Sequence, residues 1–135
     1  MPARAAYEEV LKINPRFAPA ANNLAWLLAE QEGGDLERAL QLAQIAKEER
    51  PEDPTISDTL GWVLYKRGIH QRALALFKES AAKLPDNPVV QYHLGLAYLK
   101  AGEKDNARSA LAAAVRSSRD FPGKEEAKST LAGLH

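Results

Sequence analysis

The side chains able to do chemistry are few and scattered along this 135-residue chain. His70, His93 and His135 show no i, i+4 pairing and no HExxH spacing, and there is no cysteine to join them at a metal or to act as a nucleophile. Ser57, Ser80 and Ser109 lack the glycine elbow that would expose a nucleophilic hydroxyl. Gly33-Gly34 is not followed by the Lys-Ser/Thr of a phosphate loop. The carboxylate pairs Glu8-Glu9, Glu48-Glu49 and Glu125-Glu126 fall on faces that the apolar pattern leaves to solvent. No enzyme, cofactor or metal site is expected. The remaining candidates are tryptophans, tyrosines and asparagines on helical segments, so the elements that hold them have to be worked out first.

The stretch from Pro54 to Pro85 organises the chain. Asp53 can cap a helix that Pro54 opens, since the first helical position needs no N–H. Leu60 and Leu64 then share one face, and Gly68 supplies the left-handed residue that ends the helix. A second helix runs from about His70 to Lys83, with Ala73, Leu76, Phe77 and Leu84 at helical spacing, and Pro85 stops it. Such a pair cannot bury both apolar faces alone. A step of 34 residues supplies its neighbours, taking Pro51 to Pro85, Pro54 to Pro88, Gly61 to Gly95 and Gly68 to Gly102. The same step takes Leu60 to Leu94, Ala39 to Ala73 and Ala107, and Phe77 to Leu111. One fixed period through most of the chain marks a stacked repeat array.

These residues resemble the tetratricopeptide repeat family, whose signature is a leucine–glycine pair, a large residue, then alanine, phenylalanine and proline. Leu60-Gly61, Leu64, Ala73, Phe77 and Pro85 form the best copy, followed by Leu94-Gly95, Tyr98, Ala107, Leu111 and Ala114. The resemblance implies an all-α fold, a right-handed superhelical α-solenoid of antiparallel helix pairs. Length agrees with one domain, residues 1–135. Eighteen basic and eighteen acidic residues cancel, so no net field favours nucleic acid or an anionic membrane. The absence of cysteine fits any compartment, and no leader or membrane-length apolar run is visible; cytoplasm and periplasm both stay open.

In chain order, residues 1–15 read as the second half of a truncated repeat, with helix one at 3–13. The natural protein is therefore expected to continue upstream with more repeats. The face of Tyr7, Val10 and Leu11 would then lack a neighbour, which makes a homodimer through this helix a candidate. Residues 18–51 form the first full repeat, with a helix from Ala20 to about Gln31 and a two-residue insertion in the turn Gln31-Glu32-Gly33-Gly34-Asp35. Ala25 stands there in place of the family glycine. A second helix follows from Leu36 to Glu49. Residues 54–87 and 88–121 are the second and third repeats. The last long helix is expected to reach about Ser118 or beyond, because Arg119 replaces the closing proline. Residues 122–135 carry a helix that either caps the array or begins a further repeat.

The resemblance implies that the first helix of each pair lines an inner groove, which is where a partner would bind. Spacing then gives Asn22, Asn23 and Trp26 from the first full repeat, Asp58, Thr59, Trp62 and Tyr65 from the second, and Tyr92, His93, Leu96 and Leu99 from the third. The aromatics either form an exposed apolar strip or pack between adjacent pairs. His93 reads as a groove-wall residue. Family members that clamp acidic chaperone tails use lysines, arginines and asparagines on these faces; here Asp58 would repel a carboxylate. The expected partner is a protein or peptide bearing apolar or aromatic residues, laid in the groove as an extended peptide or amphipathic helix. Membrane insertion is not expected. The leading function is a non-enzymatic scaffold for complex assembly in a bacterial-type protein. A regulatory or substrate-presenting domain of a larger enzyme is the alternative, and self-association the third reading.

Overall fold

The computed structural model describes residues 2–134. Eight helices and no strand occur among these residues: α1 (Pro2–Ile13), α2 (Ala18–Glu30), α3 (Leu36–Glu49), α4 (Pro54–Lys66), α5 (His70–Lys83), α6 (Pro88–Lys100), α7 (Lys104–Arg116) and α8 (Lys124–Ala132). The helix ends follow their local chemistry. Asp35 accepts from the Arg38 N–H, Asp53 from those of Thr55 and Ile56, and Asn87 from those of Val89 and Val90. Gly68 and Gly102 adopt φ of +84° and +79°, and Ile69 and Glu103 then bond back to the Leu64 and Tyr98 carbonyls.

The pairs α2/α3, α4/α5 and α6/α7 pack closely, with α3 against α4, α5 against α6, and α2, α4 and α6 in a row. Each helix pair thus covers the face its neighbour cannot bury alone, giving an α-solenoid. Starts of α4 and α6, and of α5 and α7, lie 34 residues apart, whereas α2 and α4 start 36 apart. The extra two residues lie between α2 and α3, where Gly33 turns with φ +71°.

One apolar core runs from Leu11 to Ala110 and includes the fully buried Leu24, Leu60, Leu64 and Phe77. Each such side chain contributes roughly 1.5–3 kcal/mol on leaving water. A smaller cluster joins Tyr92, Leu111, Ala114, Phe121 and Ala127, with Leu131 and Leu134 partly buried against it. Ala127 and Leu131 thus mark the face that α8 buries.

Gly61 and Gly95 sit at the tight crossings. A Cβ on Gly61 would meet Phe77 Cε1 at 2.7 Å, and one on Gly95 would meet Leu111 Cγ at 2.6 Å. In the first full pair the repeat register sets Ala25 opposite Ala43, both fully buried, so a small partner there makes room for the methyl.

Two boundaries differ from expectation. The first helix of the leading pair begins at Ala18 rather than Ala20, because Pro19 fits its first turn. Helix α7 ends at Arg116, short of Ser118, where Ser117 turns extended. On α1, Leu11 is buried and Tyr7 half-buried against the main core, while Val10 and Ile13 are exposed.

Candidate functional site

The first helices meet in a cleft of about 230 Å³. Helix α2 contributes Asn22, Asn23 and Trp26, all within one turn of one another, and α4 contributes Thr55, Asp58 and Thr59. Val89 and Val90 from the first turn of α6 close one side, with Leu84 and Asn87 from the preceding linker. Proline at the start of each of these helices holds the chain in the entry geometry, and the Asn87 cap fixes Val89 and Val90 by their N–H groups.

The polar groups of this cleft are committed to different degrees. Thr59 donates its hydroxyl to the Thr55 carbonyl at 3.1 Å. Asp58 lies within 2.9 and 3.0 Å of the Nδ1 of His93, one helix over. A carboxylate only accepts, so the imidazole Nδ1 carries the proton and is held between the two oxygens. Asn22 is 8% exposed, and its Oδ1 is buried with no hydrogen-bond partner among the described residues. Its amide nitrogen leans on Asn23 Oδ1 at 3.4 Å. A buried acceptor left in that state costs roughly 1–3 kcal/mol.

A second cleft of about 220 Å³ opens beside Trp62, Tyr92 and His93, between Glu30 and Lys66 on one side and Pro122, Gly123 and Glu126 on the other. Gly123 lies against the Tyr92 ring, where a Cβ would come within 2.4 Å of Cε2. Burial lifts the Tyr65 and Tyr92 hydroxyls above the ordinary tyrosine range, and for Tyr92 the negative charge of Glu126 adds to the effect.

Five of the expected groove residues thus come together in the first cleft: Asn22, Asn23, Trp26, Asp58 and Thr59. Trp62, Tyr92 and His93 meet at the second. Tyr65 stacks on Trp62 at 5.4 Å, while Leu96 and Leu99 are half-buried against the core clusters.

The open aromatic strip is not formed. Trp62 is 6% exposed, Tyr92 9% and His93 2%, because these rings pack on one another. The His93 imidazole lies 4.0 Å from the Trp62 ring at 15°, Trp26 stacks 6.4 Å from Trp62, and Tyr92 tilts against Phe121. His93 is accordingly a buried residue paired with Asp58, at the edge of the second cleft. Trp62 also donates Nε1–H to Glu30 at 3.2 Å and lies 4.9 Å beneath the Lys66 ammonium. Of the expected groove aromatics, Trp26 and Tyr65 stay partly exposed. Asn22 is set within α2 rather than at its start, so it does not solvate the helix end.

The sequence reading passed over Thr55, Leu84, Asn87, Val89 and Val90. Thr55 and Val89 lie one turn before Asp58–Thr59 and Tyr92–His93, so i−3 and i−4 spacing was the signal available.

The comparisons with known proteins agree with this architecture. A tetratricopeptide repeat family model matches residues 64–134, and a second matches residues 6–41. No curated protein matches the chain significantly. Among solved structures, MamA (residue 41 to the end) of Desulfovibrio magneticus RS-1 superposes with a TM-score of 0.77 at 22% identity, covering 97% of this chain and 71% of that one. TTC0263, a thermophilic repeat protein of Thermus thermophilus, gives 0.72 at 24% identity over 98% of this chain and 71% of that one. The type III secretion chaperone SycD of Yersinia enterocolitica, in complex with a peptide of the translocator YopD, gives 0.67 at 20% identity over 84% and 86%. At these identities the likeness is one of fold. With one family model spanning more than half of its length, the chain belongs to the tetratricopeptide repeat family.

Proposed function

We propose that this array is a protein-interaction module that docks an extended peptide segment across α2, α4 and α6, and that it works by binding rather than by catalysis. The observation that carries the reading is the first cleft, which draws side chains from three successive first helices and so crosses two repeat boundaries. An extended chain laid across helices can contact each in turn. The closure of the aromatic strip narrows the docking surface to the cleft and to the open face of Trp26. SycD, similar to this chain in fold, was crystallised with a peptide of its translocator, which supports a peptide as the kind of ligand such arrays accept.

Panning a random-peptide library against the whole chain tests this, with Trp26→Arg as the counter-selection. Trp26 is half-buried, so the arginine can reach solvent from the cleft edge. Clones that bind the parent and lose roughly tenfold or more on the variant are the expected result. Clones that bind both equally would move the contact off this cleft, and an empty selection would contradict peptide docking.

A further inference from the structure

The first cleft is unbalanced in its hydrogen-bonding groups. Asn22 Oδ1 is a buried acceptor with no donor among the described residues. Asp58 accepts from one N–H, that of His93, although a carboxylate offers about four lone-pair positions. Among the described residues Asp58 is also the only charged one lining the cleft, and no lysine or arginine lines it. Of the other amide acceptors lining the cleft, Asn87 Oδ1 already holds the Val89 and Val90 N–H groups and Asn23 Oδ1 faces the Asn22 amide nitrogen. The unmet buried acceptors therefore favour an occupant that brings donors and positive charge.

The shape narrows the choice further. A volume of about 230 Å³ takes one long side chain, not a helix. Leu84, Val89 and Val90 form an apolar wall suited to a methylene stem, and the half-buried Trp26 ring lines the cleft beside them, within reach of a planar cation. A guanidinium combines these properties. It carries five N–H donors in a planar fork, stacks on aromatic rings and stays charged, whereas an ammonium is a compact, strongly hydrated point charge.

We propose that this cleft anchors an arginine side chain of the docked peptide, its guanidinium donating to Asn22 Oδ1 and the Asp58 carboxylate while lying against Trp26. This deepens the docking reading above and rests on it. The ligand is thereby specified as an arginine-bearing peptide, in contrast to the acidic tails that other members of the family clamp.

The test starts from random-library peptides that bind the whole chain and compares each with versions in which arginine becomes citrulline or lysine. Enrichment of arginine is expected. Citrulline, which keeps the shape and removes the charge, should weaken binding roughly tenfold or more. Two protein variants accompany it. Asn22→Leu removes the orphan acceptor and should leave the melting temperature unchanged or raised while weakening arginine peptides. Thr55→Lys places a cation at the exposed rim and should weaken them without touching the buried set, so it serves even if Asn22→Leu fails to fold. Binders that lack arginine yet are lost on Thr55→Lys would overturn the arginine anchor and leave groove docking standing. So would unchanged affinity in Asn22→Leu. Binders indifferent to Thr55→Lys, or no binders at all, would overturn both.

Discussion

Gly61 meets Phe77 so closely that a single methyl decides the crossing of α4 and α5. Its added Cβ would lie 2.7 and 2.9 Å from two ring carbons of Phe77, which is itself fully buried and cannot swing aside. Gly61→Ala should therefore destabilise the chain by ~1–3 kcal/mol, as overpacking of a filled core does. Pairing it with Phe77→Leu should recover part of that loss, because the first full pair already combines alanine with a small partner at the Ala25 and Ala43 positions. A double-mutant cycle by chemical denaturation measures this, and strictly additive effects would contradict the crossing as described. Ala25 was legible in the sequence as the substitute for a repeat glycine. The residue that tolerates it, Ala43, followed only from the register of the neighbouring helix. The His93–Asp58 pair was not legible: its partners are 35 residues apart, and only the stacking of α4 on α6 brings them together.

At the scale of the helices, ends were far more legible than contacts. Asp53, Pro54, Gly68, Asn87 and Gly102 announce their helix boundaries by short-range chemistry, and those boundaries hold. The missing proline at Arg119 was a weaker signal, and α7 stops before it. Contacts between neighbouring repeats depend on where two helices meet sideways, which no local pattern encodes.

The docking of α1 is one such contact. Arg38 on α3 forks onto both oxygens of Glu8 at 2.5 and 2.7 Å, and this bonding holds the Glu8 carboxyl below the usual carboxylate range. A lowered folded-state value means that the stabilisation is complete above the ordinary glutamate range. It is lost as pH falls through the lowered value and Glu8 takes up a proton. The protection factors of the α1 amides, corrected for the slower intrinsic exchange in acid, should thus fall selectively on acidification. Arg38→Ala should produce that loss of protection at neutral pH, at a cost of ~0.5–1 kcal/mol for a partly exposed pair. Exchange in α1 no faster in Arg38→Ala than in the parent would show that apolar burial of Leu11 alone holds the helix.

Across the whole molecule, each helix pair is held by its neighbours, so the array gains stability by extension rather than by a central core. Several ion pairs repeat this logic on the surface. Lys47 reaches Glu79, Lys83 reaches Glu52 and Arg16 reaches Glu48, each about one repeat away in sequence. The 34-residue period made the solenoid readable before any coordinates. It could not show that the aromatics of the first helices would turn onto one another, since that depends on how far each pair is rotated against the next. Once they do, the open surface contracts to a cleft with an apolar wall and buried acceptors.

The most direct test of that account is to titrate a library-selected peptide into the isotopically labelled chain and follow the backbone amide shifts. Docking across the first helices predicts concerted changes at Asn22, Asn23, Thr55, Thr59, Val89 and Val90, saturating at one peptide concentration range for all three helices. Changes confined to α3, α5 and α7, or to α1, would contradict it.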